Sequence, residues 1–257
     1  MRSPEEIKNF AKLRGLKPHQ EEKRYLQCAI LAILYRTVGE SLVFKGGTAL
    51  FLLQGLDRFS EDLDFTAVQK INWQNAKRAI VDGLSTIGIE AVVSEKKPMT
   101  GEAITVNAKG PLYSTPASIC SVRVEISLRA DVLQKPVVST YAPDYPDILP
   151  FTMQSLDPVE IAAEKVRAIM KRNYARDLYD LHFLIRRGHL PQQGLIARKM
   201  HYYKETFSKE LFRAKVMVMK GAWDSELSPI LFGTVPDFGA VAGIVLESVM
   251  QAEAGIG

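Results

Sequence analysis

Residues 45–65 read KGGTALFLLQGLDRFSEDLDF. The preceding SLVF (41–44) predicts a short buried strand, Gly46 and Gly47 open a turn, GGTALFLLQG leads into a short helix, and RFSEDLDFT (58–66) reads as a second strand. Successive strand residues point to opposite faces, so Leu63 and Phe65 bury one side while Asp62 and Asp64 share the other. At about 3.3 Å per residue their Cα atoms lie about 6.6 Å apart, close enough for both carboxylates to converge on one cation. A hard divalent ion such as Mg²⁺ suits oxygen ligands and removes their mutual repulsion. Gly46 and Gly47 carry no side chain, so backbone N–H groups at a helix N-terminus can approach a phosphate there. Thr48 can cap that helix or touch the same anion. The pattern is not a Walker A loop, because GxxxxGK[ST] is absent. A tight turn or a solvated acidic edge accounts for either element alone; the order strand, turn, helix, strand points to a site.

Outward from this stretch, residues from about 20 to 38 form an apolar helix with a broad buried face, and 72–88 are helical in pattern up to Gly88. IEAVVSEK (89–96), EAITVNAK (102–109) and CSVRVEISLRA (120–130) read as strands on β-branched content and alternation. In the last of these the valines and Ile126 line one face, and Arg123, Glu125 and Ser127 the other. If that strand neighbours the DLD strand, Glu125 completes a metal site or acts as a base. A pair with Arg123 on an exposed strand face is the alternative. Pro136, Pro143, Pro146 and Pro150 punctuate KPVVSTYAPDYPDILP and mark the expected boundary between a mixed domain, 1–150, and a helical domain, 151–257. Beyond it DPVEIAAEKVRAIMKR, ARDLYDLHFLIRRG, about 192–220 and FGAVAGIVLESVMQAEA read as helices, with Asp157 and Pro158 as an N-cap pair and Gly188 as a C-cap. The fold class expected is α/β of the α+β kind.

With 257 residues, 47% of them hydrophobic and 24% charged, the chain has the composition of an ordinary globular protein, outside the disordered and collagen-like classes. Its net charge of +4, from 33 Lys and Arg against 29 Asp and Glu, permits a nucleic-acid partner without demanding one. Cys28 and Cys120 are far apart and lack metal-ligand spacing, which excludes a disulfide framework and a structural zinc site. The N-terminus has no apolar h-region, and no run approaches the roughly 20 apolar residues of a membrane helix, so the cytoplasm is the expected compartment.

In the second half, Val159, Ala162, Ala163, Val166, Ile169 and Met170 share an apolar helix face, with Glu160, Glu164, Arg167 and Lys171 opposite. Lys165 projects beside the apolar face and needs an anionic partner. A nucleotide phosphate or an acid such as Asp177 or Asp180 would serve, unless the ammonium snorkels to water. Asp177 and Asp180 share a helical stripe with Leu184. From Lys165 to Arg176 the chain holds five basic residues and no acid, a stripe able to follow a phosphate backbone.

FKGGTAL, RFSEDLDF, EIAAEKVRAIMKR and RDLYDL, in that order and spacing, resemble the four motifs of the AbiEii/AbiGii-type nucleotidyltransferases, toxins of abortive-infection and toxin–antitoxin systems. The resemblance spans about 45–185. It implies a polymerase-β-type nucleotidyltransferase lobe with a small mixed sheet, followed by a helical C-terminal lobe. Carried over, it implies that Gly46, Gly47 and Thr48 hold phosphates and that Asp62 and Asp64 bind Mg²⁺. It further implies that Arg58 and Ser60 approach the metal site, that Lys165 contacts the triphosphate, and that Asp177 and Asp180 form an essential acidic motif. The family commonly has a basic residue after GGTxL, where this chain has Phe51. The activity implied is Mg²⁺-dependent transfer of a nucleoside monophosphate from an NTP to an acceptor hydroxyl, with the tRNA 3′ end as acceptor and an antitoxin protein as partner. Transfer to a protein or small molecule, and a non-catalytic nucleotide-binding module, are the alternatives the residues leave open.

Overall fold

The computed structural model describes residues 1–96, 101–129 and 131–251, the side chain of Lys96 excepted. Two compact units emerge: Met1–Gln54, Phe59–Ala130 and Pro136–Ser155 form one, and Gly55–Arg58, Asp131–Lys135 and Leu156–Gly257 the other.

The first unit runs α1 (Pro4–Arg14), α2 (Pro18–Val38), β1 (Leu42–Lys45), α3 (Gly46–Gln54), β2 (Leu63–Ala67), α4 (Trp73–Thr86), β3 (Glu90–Lys96), β4 (Glu102–Lys109), β5 (Cys120–Ser127), β6 (Val137–Tyr141) and β7 (Phe151–Ser155). Its strands form one seven-stranded mixed sheet in the order β3-β4-β5-β2-β1-β7-β6. Strand β2 is antiparallel to β1 and parallel to β5, and it lies at the centre. The alternation expected around the DLD strand holds: Leu63, Phe65, Val122, Val124 and Ile126 are all buried, in one core with Ile30, Leu31 and Leu34 of α2 and Ile80 and Leu84 of α4.

Two boundaries differ from the sequence reading. β2 begins at Leu63, so Asp62 stands in the loop before it and only Asp64 lies in the strand. The proline-rich run does not end the first unit; β6 and β7 fall inside it and extend the sheet, and the division comes after Ser155 instead of at 150. The prolines that suggest a linker flank these strands without interrupting either, which is where a sheet tolerates a residue lacking an N–H.

The second unit runs α5 (Pro158–Lys171), α6 (Ala175–Arg186), α7 (Gln193–Tyr202), α8 (Lys209–Val218), α9 (Trp223–Leu227) and α10 (Phe238–Gln251). Asp157 caps α5, its carboxylate accepting from the Val159 N–H at 2.8 Å, and Gly188 takes the left-handed conformation (φ 84°) after α6. Among the described residues no helix is long and apolar enough to cross a membrane.

Candidate active site

The centre of the sheet gathers charge on its polar face. Asp64 pairs in register with Lys45 of β1 and with Glu125 of β5, which sets Lys45, Asp64 and Glu125 side by side in a row across three strands. Strands about 4.8 Å apart make such neighbours each other's immediate electrostatic environment. The condition the sequence sets for Glu125 is met, since its strand neighbours the DLD strand. Its carboxylate is also paired with Arg123, each side chain remaining about two-fifths exposed at 40% and 44%.

Gly46 joins β1 to α3 with φ 76°, a conformation that side-chain-bearing residues rarely adopt. A Cβ placed there would stand 2.5 Å from Asp64 Oδ2, so a glycine is what lets the carboxylate lie against the backbone. Gly47 follows in the first turn of α3, where N–H groups have no intrahelical acceptor. The Thr48 hydroxyl, for which the resemblance implies a phosphate contact, is turned to another task. Thr48 is fully buried and donates to the Asp62 carbonyl at 2.5 Å, so it fastens the aspartate loop from behind.

The rest of that loop is held just as firmly. Gln27 Nε2 of α2 donates to the carbonyls of Ser60 (2.9 Å) and Glu61 (2.8 Å), and Lys23 pairs with Glu61 at 2.6 Å. Phe51, where the family commonly has a basic residue, sets its ring edge-on to buried Phe59 at 5.9 Å. Gln27 and Lys45 escape the sequence reading. For Gln27 a signal exists, since it is the one amide side chain in the run YLQCAILAIL.

Asp62 and Asp64 offer hard oxygen donors. Among the described residues no three of His, Cys, Asp and Glu are gathered so as to hold a metal ion. Mg²⁺ commonly takes only one or two carboxylates and fills its remaining positions with substrate phosphate oxygens and water, and these two aspartates fit that donor set.

The second unit gathers a separate set of charges. Lys165 Nζ lies between Asp177 Oδ1 (2.9 Å) and Asp180 Oδ2 (2.6 Å). Arg58 grips Asp180 through two parallel bonds, Nε to Oδ1 at 2.6 Å and a second guanidinium nitrogen to Oδ2 at 2.7 Å. Arg172 grips Asp177 likewise at 2.7 and 3.1 Å. Both aspartates are fully buried. Burial pushes the pKa of each upward, but the adjoining cations outweigh it and hold both below the usual carboxylate range. Burial likewise opposes charge on Lys165, and the two carboxylates overcome it and raise its pKa.

Three expectations change in this light. Lys165 meets acids of its own helical unit, and contact with a triphosphate would require it to leave them. Arg58 is bonded to Asp180, and its segment is further held by Tyr179, whose hydroxyl donates to Asp57 at 2.7 Å, and by the Phe232 N–H to the Asp57 carbonyl at 3.1 Å. The basic stripe is largely occupied: Arg167 lies 3.7 Å from the Tyr203 ring centroid, Lys171 pairs with Glu205 at 2.9 Å, and Arg172 with Asp177. Glu160, on the side of α5 opposite its apolar face, is itself buried, accepting from the N–H groups of Leu133 and Gln134 (2.7 Å each) and pairing with Lys199 at 2.7 Å.

Solved structures of similar fold include a putative nucleotidyltransferase from Helicobacter pylori (24% identity over 92% of this chain and 96% of that one, TM-score 0.61). JHP933 from Helicobacter pylori is similar at 24% identity over 90% and 92%, with TM-score 0.58. MenT4, a nucleotidyltransferase toxin from Mycobacterium tuberculosis, is similar at 20% identity over 99% and 91%, with TM-score 0.59. At these identities the likeness bears on the fold. No curated protein matches the sequence. The profile of the nucleotidyl transferase AbiEii toxins of type IV toxin–antitoxin systems matches residues 32–243, well over half of the chain, and covers both the Asp62–Asp64 loop and the Asp177–Asp180 helix. The chain belongs to this AbiEii toxin family and is a nucleotidyltransferase.

Proposed function

We propose that the protein transfers a nucleoside monophosphate from an NTP to the 3′-terminal hydroxyl of tRNA, in a Mg²⁺-dependent reaction centred on Asp62, Asp64 and Glu125. The observation that carries this reading is the register-matched row Lys45, Asp64, Glu125, with Asp64 seated against Gly46 at the start of α3. Asp62 and Asp64 would hold Mg²⁺, which when bound neutralises triphosphate charge and eases ionisation of the acceptor hydroxyl. Backbone N–H groups of the first turn of α3, which begins with Gly46 and Gly47, favour an anionic phosphate at that helix end. As the acceptor oxygen bonds to the α-phosphorus, the bond to the bridging oxygen breaks, pyrophosphate leaves, and the hydroxyl proton passes to Glu125. Ser60 stands in the loop held by Gln27, within the group that positions Asp62. The Lys165, Asp177, Asp180 and Arg58 set maintains the helical unit. The family's place in toxin–antitoxin systems supports a cognate antitoxin protein as partner and the cytoplasm as the working compartment.

Incubation with each α-labelled NTP, Mg²⁺, and purified tRNA, total RNA or cell protein tests this. Label is expected in tRNA, and Asp62→Asn and Asp64→Asn are expected to abolish it without moving the melting temperature. Full labelling by Asp64→Asn would remove the metal assignment, and label in protein alone would remove the acceptor.

A further inference from the structure

The loop between α5 and α6 presents an aromatic side chain set among cations. Tyr174 is 44% exposed. The guanidinium carbons of Arg172 and Arg176 lie 5.3 and 5.0 Å from its ring centroid. Arg172 is fixed in place by its two bonds to buried Asp177. Arg176 is exposed and has no carboxylate partner among the described residues. Lys215 of α8 reaches the same loop, donating to Asn173 Oδ1 at 3.2 Å, and it too has no carboxylate partner among the described residues. Within the stripe, Lys165, Lys171 and Arg172 pair with carboxylates and Arg167 lies over the Tyr203 ring, while Arg176 sits beside Tyr174.

An exposed ring among guanidinium groups, flanked by two uncompensated cations, matches what single-stranded nucleic acid offers: π-faces to stack on a ring or guanidinium plane, and phosphates at regular intervals. An acidic peptide would use the cations and leave the ring idle. We propose that Tyr174, Arg176 and Lys215 form a docking surface for single-stranded RNA, a reading that rests on the RNA acceptor proposed above. Tyr174 stacks a base, while Arg176 and Lys215 each neutralise a phosphate.

Fluorescence anisotropy with a labelled single-stranded RNA of about a dozen nucleotides, without Mg²⁺ or NTP and across a salt series, tests the surface apart from catalysis. Tyr174→Ala is expected to weaken binding about tenfold with an unchanged salt slope, and Tyr174→Phe, which keeps the ring, to recover most of that loss. Arg176→Ala and Lys215→Ala are each expected to reduce the slope of log K against log salt by about 0.7. The KM for tRNA in the labelling reaction should rise in parallel, with thermal midpoints unmoved. If the wild type labels tRNA and all three alanine variants bind RNA as the wild type does, the surface is wrong and the RNA acceptor stands. If the wild type neither binds nor labels RNA while another acceptor is labelled, the acceptor reading fails and takes the surface with it. A labelled oligoglutamate forms the remaining arm: if Arg176→Ala and Lys215→Ala release it while RNA binding stays intact, the face takes acidic peptide and the proposal is overturned.

Discussion

Two pairs of acids share one chain and meet opposite fates. Asp62 and Asp64, two residues apart at the head of a strand, are exposed and half-exposed beside a polar sheet face. Asp177 and Asp180, three apart on a helix, are fully buried, and each of their four carboxylate oxygens has a cationic partner from Arg58, Lys165 or Arg172. The helical spacing puts Asp177 and Asp180 on one stripe of α6, whereas Asp62 stands in the loop before β2 and Asp64 within the strand. What the structure shows to differ is burial: water reaches Asp62 and Asp64, whereas Asp177 and Asp180 are closed off with Arg58, Lys165 and Arg172. Taking one partner from a buried pair costs about 3–5 kcal/mol, whereas exposed pairs contribute about 0–1 kcal/mol.

The contrast is open to direct tests. The largest effect on stability is expected for Asp180→Ala, which strands buried Arg58, leaves Lys165 with Asp177 alone, and should cost about 3–5 kcal/mol in urea unfolding. Asp64→Asn should change stability by no more than about 0.5 kcal/mol while reducing tRNA labelling roughly a thousandfold. Equal destabilisation by the two would erase the distinction.

Acidity separates the pairs next. Asp177 and Asp180 have folded-state pKa values below the unfolded value of about 3.9, so their stabilisation is present above about pH 4 and is lost as pH falls towards the folded values. Lys165 is shifted the other way: its contribution is full below about pH 10.4 and is lost as pH rises through its higher folded value. Circular dichroism melts across pH should therefore show a plateau ending in acid and in strong base. The acid limb should shrink in Asp180→Asn and persist in Asp64→Asn.

Gly46→Ala should cost about 1–2 kcal/mol for its left-handed backbone and lower labelling roughly a hundredfold, because the new methyl displaces the Asp64 carboxylate. Thr48→Val is the mildest change. Without the bond to the Asp62 carbonyl, stability should fall by about 1 kcal/mol and labelling by roughly tenfold, read in the same two assays.

The two units also differ in how legible they are in sequence. Leu63, Phe65 and the valines of β5 declare their buried faces by alternation alone, and Gly46 declares its turn. Glu125 can be placed only conditionally, because strand order depends on long-range pairing that no local pattern encodes. β6 and β7 are masked by the prolines around them. Lys165 needs an anion on physical grounds, and Asp177 and Asp180 are among the partners its position allows. The tie of Arg58 to Asp180 is not legible at all: Arg58 stands four residues before Asp62, which suggests the metal loop, and nothing near it signals a partner 122 residues away.

The excursion of Gly55–Arg58 into the helical unit has a consequence for dissecting the protein. A fragment starting at Leu156 would contain every helix from α5 to α10 and still be incomplete. It would carry buried Asp180 without Arg58, Glu160 without the N–H groups of Leu133 and Gln134, and the Phe232 N–H without the Asp57 carbonyl. The helical unit is thus discontinuous in sequence: no single cut releases it whole, and a chain ending at Ser155 would hold every segment of the sheet unit while carrying Gly55–Arg58 and Asp131–Lys135 without the helices they belong to.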